Sequence, residues 1–166
     1  LKEIEVKLIN IPPTLLTILR LIAERLQETP INWAITGSCS LALQGVPVAV
    51  HDIDLRATAE DSYRLEAMFQ AYRKRPVTFV TGEHVQSHFG ALEIDGVQVE
   101  IIGDMQHRLA DGMWEPIVDM NRFKEWVDVD GIAAPVMSLE FLYEAYQRLG
   151  RADKVAALEA WFQRPL

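Results

Sequence analysis

One cysteine, Cys39, is all the thiol that this 166-residue chain contains. An internal disulfide and a multi-cysteine zinc site are thereby excluded, and nothing points to an oxidising compartment, so a cytoplasmic location is expected. Long apolar runs are lacking as well. No stretch approaches the roughly 20 residues of a membrane-spanning helix, which removes a membrane from the expected partners. The opening "LKEIEVKLIN" mixes charged and apolar side chains too evenly for a signal peptide, and a start at Leu1 instead of methionine suggests that a few native residues precede it. Positive charge is scarce: 16 lysines and arginines stand against 24 aspartates and glutamates, a formal charge of -8. That balance opposes non-specific binding to phosphate backbones and disfavours a long nucleic-acid acceptor. Small molecules and proteins are the expected partners.

What remains is an ordinary globular composition, with 49% hydrophobic and 24% charged residues, and a length that suits a single domain spanning residues 1–166. After Pro12 and Pro13, Leu15, Leu16, Leu19, Ile22 and Leu26 recur at helical spacing until "ETP" ends the run. "INWAIT" reads as a buried strand ending at Gly37, a short helix is expected over Ser38–Gln44, and "DIDLRAT" reads as the next strand. A helix over Glu60–Tyr72 and a strand at "PVTFV" follow. Asp95-Gly96 joins "FGALEI" to "VQVEII" in a hairpin, because a type I′ turn needs positive φ at both central residues. Residues Gly103–Lys124 show no clear pattern. A second Asp-Gly, at 130–131, joins "EWVDV" to "IAAPVM", and Ser138 caps the first of two closing helices that separate near Gly150. The pattern predicts an α/β (α+β) protein, a mixed sheet flanked by helices, with a core over about 31–104 and a C-terminal helical pair over about 138–166.

Asp52 and Asp54 carry the chemical signal. Two residues apart on a strand, they point to one face about 6.6 Å apart along the chain. Their charges repel by about 2.5 kcal/mol at an effective dielectric of about 20, so a compensating cation is expected. Mg²⁺ suits such carboxylates and leaves positions for water and substrate phosphates. Glu100 is a charge inside the apolar run "VQVEII" and would supply a third ligand, enough for a two-ion site. Gly37 and Ser38, at the start of the short helix, offer backbone N–H groups to a phosphate. The chain has neither Gly-Lys-Ser/Thr nor spaced glycines of the dinucleotide type, so this is a different phosphate site. Arg56 shares the face of Asp52 and Asp54, which suits either a phosphate contact or an ion pair with Asp54.

Together "AITGSCSLALQG", "HDIDL" and "VQVEII" resemble the signature of the nucleotidyltransferase superfamily of the DNA polymerase β type. The ending "SLEFLYEAYQRLGRADKVAALEAW" is similar to that of its small antibiotic and toxin-type members. The resemblance implies a nucleotidyltransferase fold and transfer of a nucleoside monophosphate from an NTP, ATP first among them, to a hydroxyl of a small molecule or protein, with release of pyrophosphate. By motif, Asp52, Asp54 and Glu100 would be catalytic and bind Mg²⁺, for which Mn²⁺ can substitute. Gly37, Ser38 and Arg56 would bind the nucleotide. The tail has Tyr146 where such relatives often carry a lysine, and Asp153-Lys154 in place of Lys-Asp. This supplies an alternative: a weakly active or inactive member that works through a protein partner, such as a toxin–antitoxin component.

Other candidates have plainer readings. Gly82 and Gly90 place His84 and His88 in a loop, away from the helix that would make them metal ligands. Ser38 beside Cys39 lacks the Gly-x-Ser-x-Gly elbow of a hydrolase nucleophile. Lys154 and Arg151 are either solvated or within reach of a triphosphate. Trp114, Trp126 and Trp161 are expected to fill the core or a partner interface.

Overall fold

A computed structural model describes residues 11–165. The opening "LKEIEVKLIN", on which the reading against a signal peptide rests, lies outside the described residues. Among the described residues there are five α-helices and a seven-stranded sheet. Helix α1 (Pro13–Leu26) begins where a proline costs no hydrogen bond and buries Leu15, Ile18, Leu19, Ile22 and Leu26. Strand β1 (Trp33–Thr36) runs directly into α2 (Gly37–Leu43), and β2 (Ile53–Ala57) returns antiparallel beside β1, with Thr36 opposite Asp54.

Helix α3 (Ala59–Met68) is capped by Thr58, whose hydroxyl accepts from the Asp61 N–H. The expected helix to Tyr72 stops four residues early, and a 3₁₀ turn covers Gln70–Tyr72. Phe69, fully buried, has already left helical geometry. Strands β3 (Arg73–Thr81), β4 (Val85–Ile94) and β5 (Val97–His107) form a long meander that ends well beyond the expected segments. Asp95 and Gly96 both take positive φ at its turn, as the dipeptide required. The loop reading of His84–His88 is corrected in part: Val85 onward is strand, and His88 pairs across to Phe79 and hydrogen-bonds Tyr63. Strands β6 (Lys124–Val129) and β7 (Ile132–Met137) form the second hairpin, followed by α4 (Leu139–Arg148) and α5 (Ala152–Phe162). Ser138 caps α4 through the Phe141 N–H.

The sheet order is β3-β4-β5-β2-β1-β7-β6, with β2 parallel to β5 and β1 parallel to β7, so the sheet is mixed. Its two faces follow from strand alternation. Ile53, Leu55 and Ala57 of β2 and Val99 and Ile101 of β5 enter the larger core with α1 and α3. Asp54, Arg56, Glu100 and Ile102 consequently point to the opposite face. There α4 and α5 pack through Phe141, Leu142, Tyr146 and Leu158 against Ala34 and Leu41. No helix among the described residues is long and apolar enough to cross a membrane.

Candidate active site

Parallel pairing of β2 with β5 sets Asp54 opposite Glu100. Asp52 lies just before β2. Ligand oxygens of Asp52, Asp54 and Glu100 all fall within 4.8 Å of one another. The three acids that the sequence separates by up to 48 positions thus form one cluster, at the mouth of the face that α4 and α5 cover.

Asp54 is the strained member of this cluster. Its Oδ1 is buried and has no hydrogen-bond partner among the described residues. Burial foremost, then the charges of Glu100 and Asp52, push its carboxyl up to about 8. A divalent cation among the three oxygens would reverse all of this, because it supplies the missing partner of Oδ1 and offsets the repulsion. The residues present therefore fit a hard metal ion. Glu100 is held by Gln98, whose Nε2 donates to its Oε1 at 2.8 Å.

Gly37 lies against this carboxylate at φ +68, and a Cβ built on it would overlap Asp54 Oδ2. A glycine is required both for the backbone conformation and for the contact. Helix α2 has no side-chain cap at Thr36. Ser40 Oγ and Gln44 Nε2 both donate to the Met137 carbonyl, at 2.8 and 2.9 Å, and so anchor the helix on β7. At its start, Lys154 Nζ donates to Ser38 Oγ at 2.7 Å. Of the two readings of Lys154, solvated or within reach of the site, this contact selects the second. Cys39 is no nucleophile: it is buried, and burial together with Asp54 and Asp52 pushes its thiol far up.

Arg56 is buried beneath the ring of Phe141, 5.0 Å from its centroid, and donates to the Met105 carbonyl at 3.4 Å. The ion pair with Asp54 is absent among the described residues. Burial lowers the guanidinium to about 10, against the opposing pull of Glu115 and Asp104. Tyr146, where the family pattern often has lysine, is buried and pushed up to about 12 by burial and then by Asp54, so it keeps its proton. Gly37, Ser38, Asp54, Arg56, Tyr146 and Lys154 line one cavity of about 180 Å³, which runs on to His107.

His107 and Glu115 come from the segment that gave no sequence pattern. The ring Nδ1 lies 2.6 Å from Glu115 Oε1, and Arg148 donates to Glu115 Oε2 at 3.1 Å. The obstacle to reading them was Asp104, whose φ of +44 bends β5 without ending it. Neither His84 nor His88 joins the site; Trp126 is 66% exposed and fills no core, while Trp114 and Trp161 stack under Arg108 and Arg164.

Residues 18–158 match the model of the aminoglycoside-2''-adenylyltransferase family. Comparison with proteins of curated function gave no match. Among solved structures the chain is similar to TM1012 from Thermotoga maritima, assigned as a nucleotidyltransferase, at 47% identity over 92% of this chain and 94% of the other, TM-score 0.83. It is also similar to ANT(2'')-Ia in complex with adenylyl-2''-tobramycin, at 18% identity over 86% and 80% of the two chains, TM-score 0.56. A third is the lincosamide adenylyltransferase LnuA bound to lincomycin, at 13% identity over 91% and 98%, TM-score 0.56. At these last two identities the likeness establishes the nucleotidyltransferase fold. By the family match across most of its length and the likeness to TM1012, this chain belongs to the aminoglycoside-2''-adenylyltransferase family of nucleotidyltransferases.

Proposed function

We propose that this protein transfers the nucleoside monophosphate of an NTP, ATP first among them, to a hydroxyl of a small molecule. The carrying observation is the convergence of Asp52, Asp54 and Glu100 within 4.8 Å beside the Gly37 turn. These three residues would hold Mg²⁺, or Mn²⁺ in its place. When bound, the metal supplies charge neutralisation at the α-phosphate and at the leaving oxygen.

The protein's own groups do the rest. Gly37 leaves room at the turn for a phosphate, and the Lys154 ammonium and Ser38 hydroxyl, already paired with each other, turn towards the β- and γ-phosphates. Arg56 stays charged under Phe141 and adds positive potential to the cavity wall. Glu100 receives the proton of the acceptor hydroxyl. The acceptor oxygen bonds to the α-phosphorus as the bond to the bridging oxygen breaks, and pyrophosphate leaves.

Tobramycin, the acceptor part of the product bound by ANT(2'')-Ia, is the first compound to try. The test is pyrophosphate release from Mg²⁺-ATP with a panel of aminoglycosides and lincosamides, alongside Asp54→Asn. Release that depends on both the acceptor and Asp54 supports the reading; release unaffected by Asp54→Asn contradicts it.

A further inference from the structure

The two edges of the sheet meet their surroundings differently. Strand β3 carries Arg73, Lys74, Arg75 and Pro76, and its register with β4 slips between Arg73 and Arg75 and again before Thr78. Charge, proline and irregularity of this kind keep an edge from pairing with another chain. Strand β6 has no proline and keeps an unbroken register with β7. At its centre Trp126 is 66% exposed. A large aromatic left open at mid-strand is the reverse of a protected edge.

The hairpin fixes which backbone groups of β6 point outward. Asp130 and Gly131 both take positive φ in a two-residue turn, so Val129 and Ile132 exchange hydrogen bonds and the ladder alternates from there. The same phase appears at the far end, where the Ser138 N–H donates to the Phe123 carbonyl at 2.8 Å. Pro135, which has no N–H, accordingly stands opposite Trp126, where the ladder needs none. The N–H and C=O groups of Lys124, Trp126 and Asp128 therefore point away from the sheet, and among the described residues they have no backbone partner. Their side chains share a face as well, opposite to Val127 and Val129, which turn to the larger core.

This edge is complementary to itself. Antiparallel pairing about a two-fold axis through Trp126 is the register that uses all of these outward groups. Trp126 then faces its own copy, and on either side Lys124 faces Asp128 of a second copy, each pair exchanging both of its hydrogen bonds. The charges match. Lys124 donates to Asn32 Oδ1 at 2.5 Å and Asp128 accepts from the Gly131 N–H at 3.3 Å, but neither has an ion-pair partner among the described residues. On the other face Glu125 would meet Val127, so no acid is set against an acid. Trp126 also lines a cavity of about 290 Å³ with Leu26, Trp33 and Pro135, which continues the apolar surface inward from the edge.

We propose that β6 is a dimerisation edge, at which a second copy of this chain adds its own β6 antiparallel and joins the two sheets, with the Trp126 side chains packed together at the axis. The proposal is independent of the NTP reading above.

Sedimentation velocity of the full chain from micromolar to submillimolar concentration tests this, together with deuterium exchange over the same range. A monomer–dimer equilibrium is expected, with exchange at 124–129 slowing as concentration rises and exchange in β3 unchanged. Trp126→Pro removes the indole and an outward N–H but no bond to β7, and should abolish the dimer. Asp128→Lys sets like charges opposite each other and should weaken association about 10-fold. Adding Lys124→Asp restores opposite charges and should recover most of that loss. A monomer throughout the range overturns the proposal, as does a dimer in which exchange at 124–129 is unchanged. Both results come from the unaltered protein and stand whether or not a variant folds. A dimer that survives Trp126→Pro and Asp128→Lys equally overturns it.

Discussion

Gly37 has no side chain because Asp54 occupies the space: a Cβ there would overlap Oδ2, on a backbone held at φ +68. The turn that would admit the phosphate and the carboxylate that would hold the metal are therefore one packed unit. Gly37→Ala should displace Asp54, lower Mg²⁺-dependent turnover by about 100-fold or more, and cost roughly 1–3 kcal/mol from the left-handed conformation and the overlap. Steady-state rates and thermal denaturation check the two halves separately. A variant with unchanged turnover contradicts the coupling.

Asp54 makes the metal-free protein sensitive to alkali. Its folded pKa, about 8, lies above the ordinary 3.8, so between those values the folded state retains a proton that the unfolded chain has lost. Stability from this group is full below the ordinary value and is lost as pH rises through about 8. Melting temperature without metal should therefore fall across this window. Mg²⁺ should flatten or reverse the trend, and Asp54→Asn should melt several degrees higher than the unaltered protein near pH 8 without metal, with the slope gone.

Lys154 reaches back 116 residues to Ser38, joining α5 to the first turn of α2. Lys154→Ala should weaken NTP binding by about 10-fold, the scale of a charge-assisted hydrogen bond. Ser38→Ala should cost less, and the double variant should cost less than the product of the two, because each loss includes the shared contact. Multiplicative losses would show that the two act independently.

Glu115 is buried with three donors around it, the His107 N–H, the ring Nδ1–H and Arg148. Glu115→Ala leaves a buried backbone N–H and a ring N–H unpaired and should cost about 2–4 kcal/mol, read by denaturant unfolding. A loss below about 0.5 kcal/mol would place the pair among exposed ion pairs in effect.

The convergence of the candidate site's acids was legible because their chemistry clashes with local pattern. Asp54 and Glu100 stand as charges in apolar strands with Asp52 just before the first of them, and Gly37-Ser38 marks a strand-to-helix junction, so type and spacing made them candidates. The hairpins were legible through Asp95-Gly96 and Asp130-Gly131, whose dihedral demands are local. His107 and Glu115 were not, since their meeting depends on a strand that bends at Asp104 and on a bridge between Arg108 and Trp114. Only tertiary pairing reveals them. Arg56 shows a middle case: alternation gave its face, while its partner, the Met105 carbonyl, lies beyond the same bend.

The central claim is that the three carboxylates and the Gly37 turn form a metal-dependent NTP site. Calorimetric binding of each NTP, with and without Mg²⁺, to the unaltered protein and to the Asp52→Asn, Asp54→Asn double variant tests it most directly. The account predicts binding that needs both the metal and the two aspartates, ATP foremost. No detectable binding at millimolar NTP, or binding that survives the double substitution, would contradict it and turn attention to a protein partner.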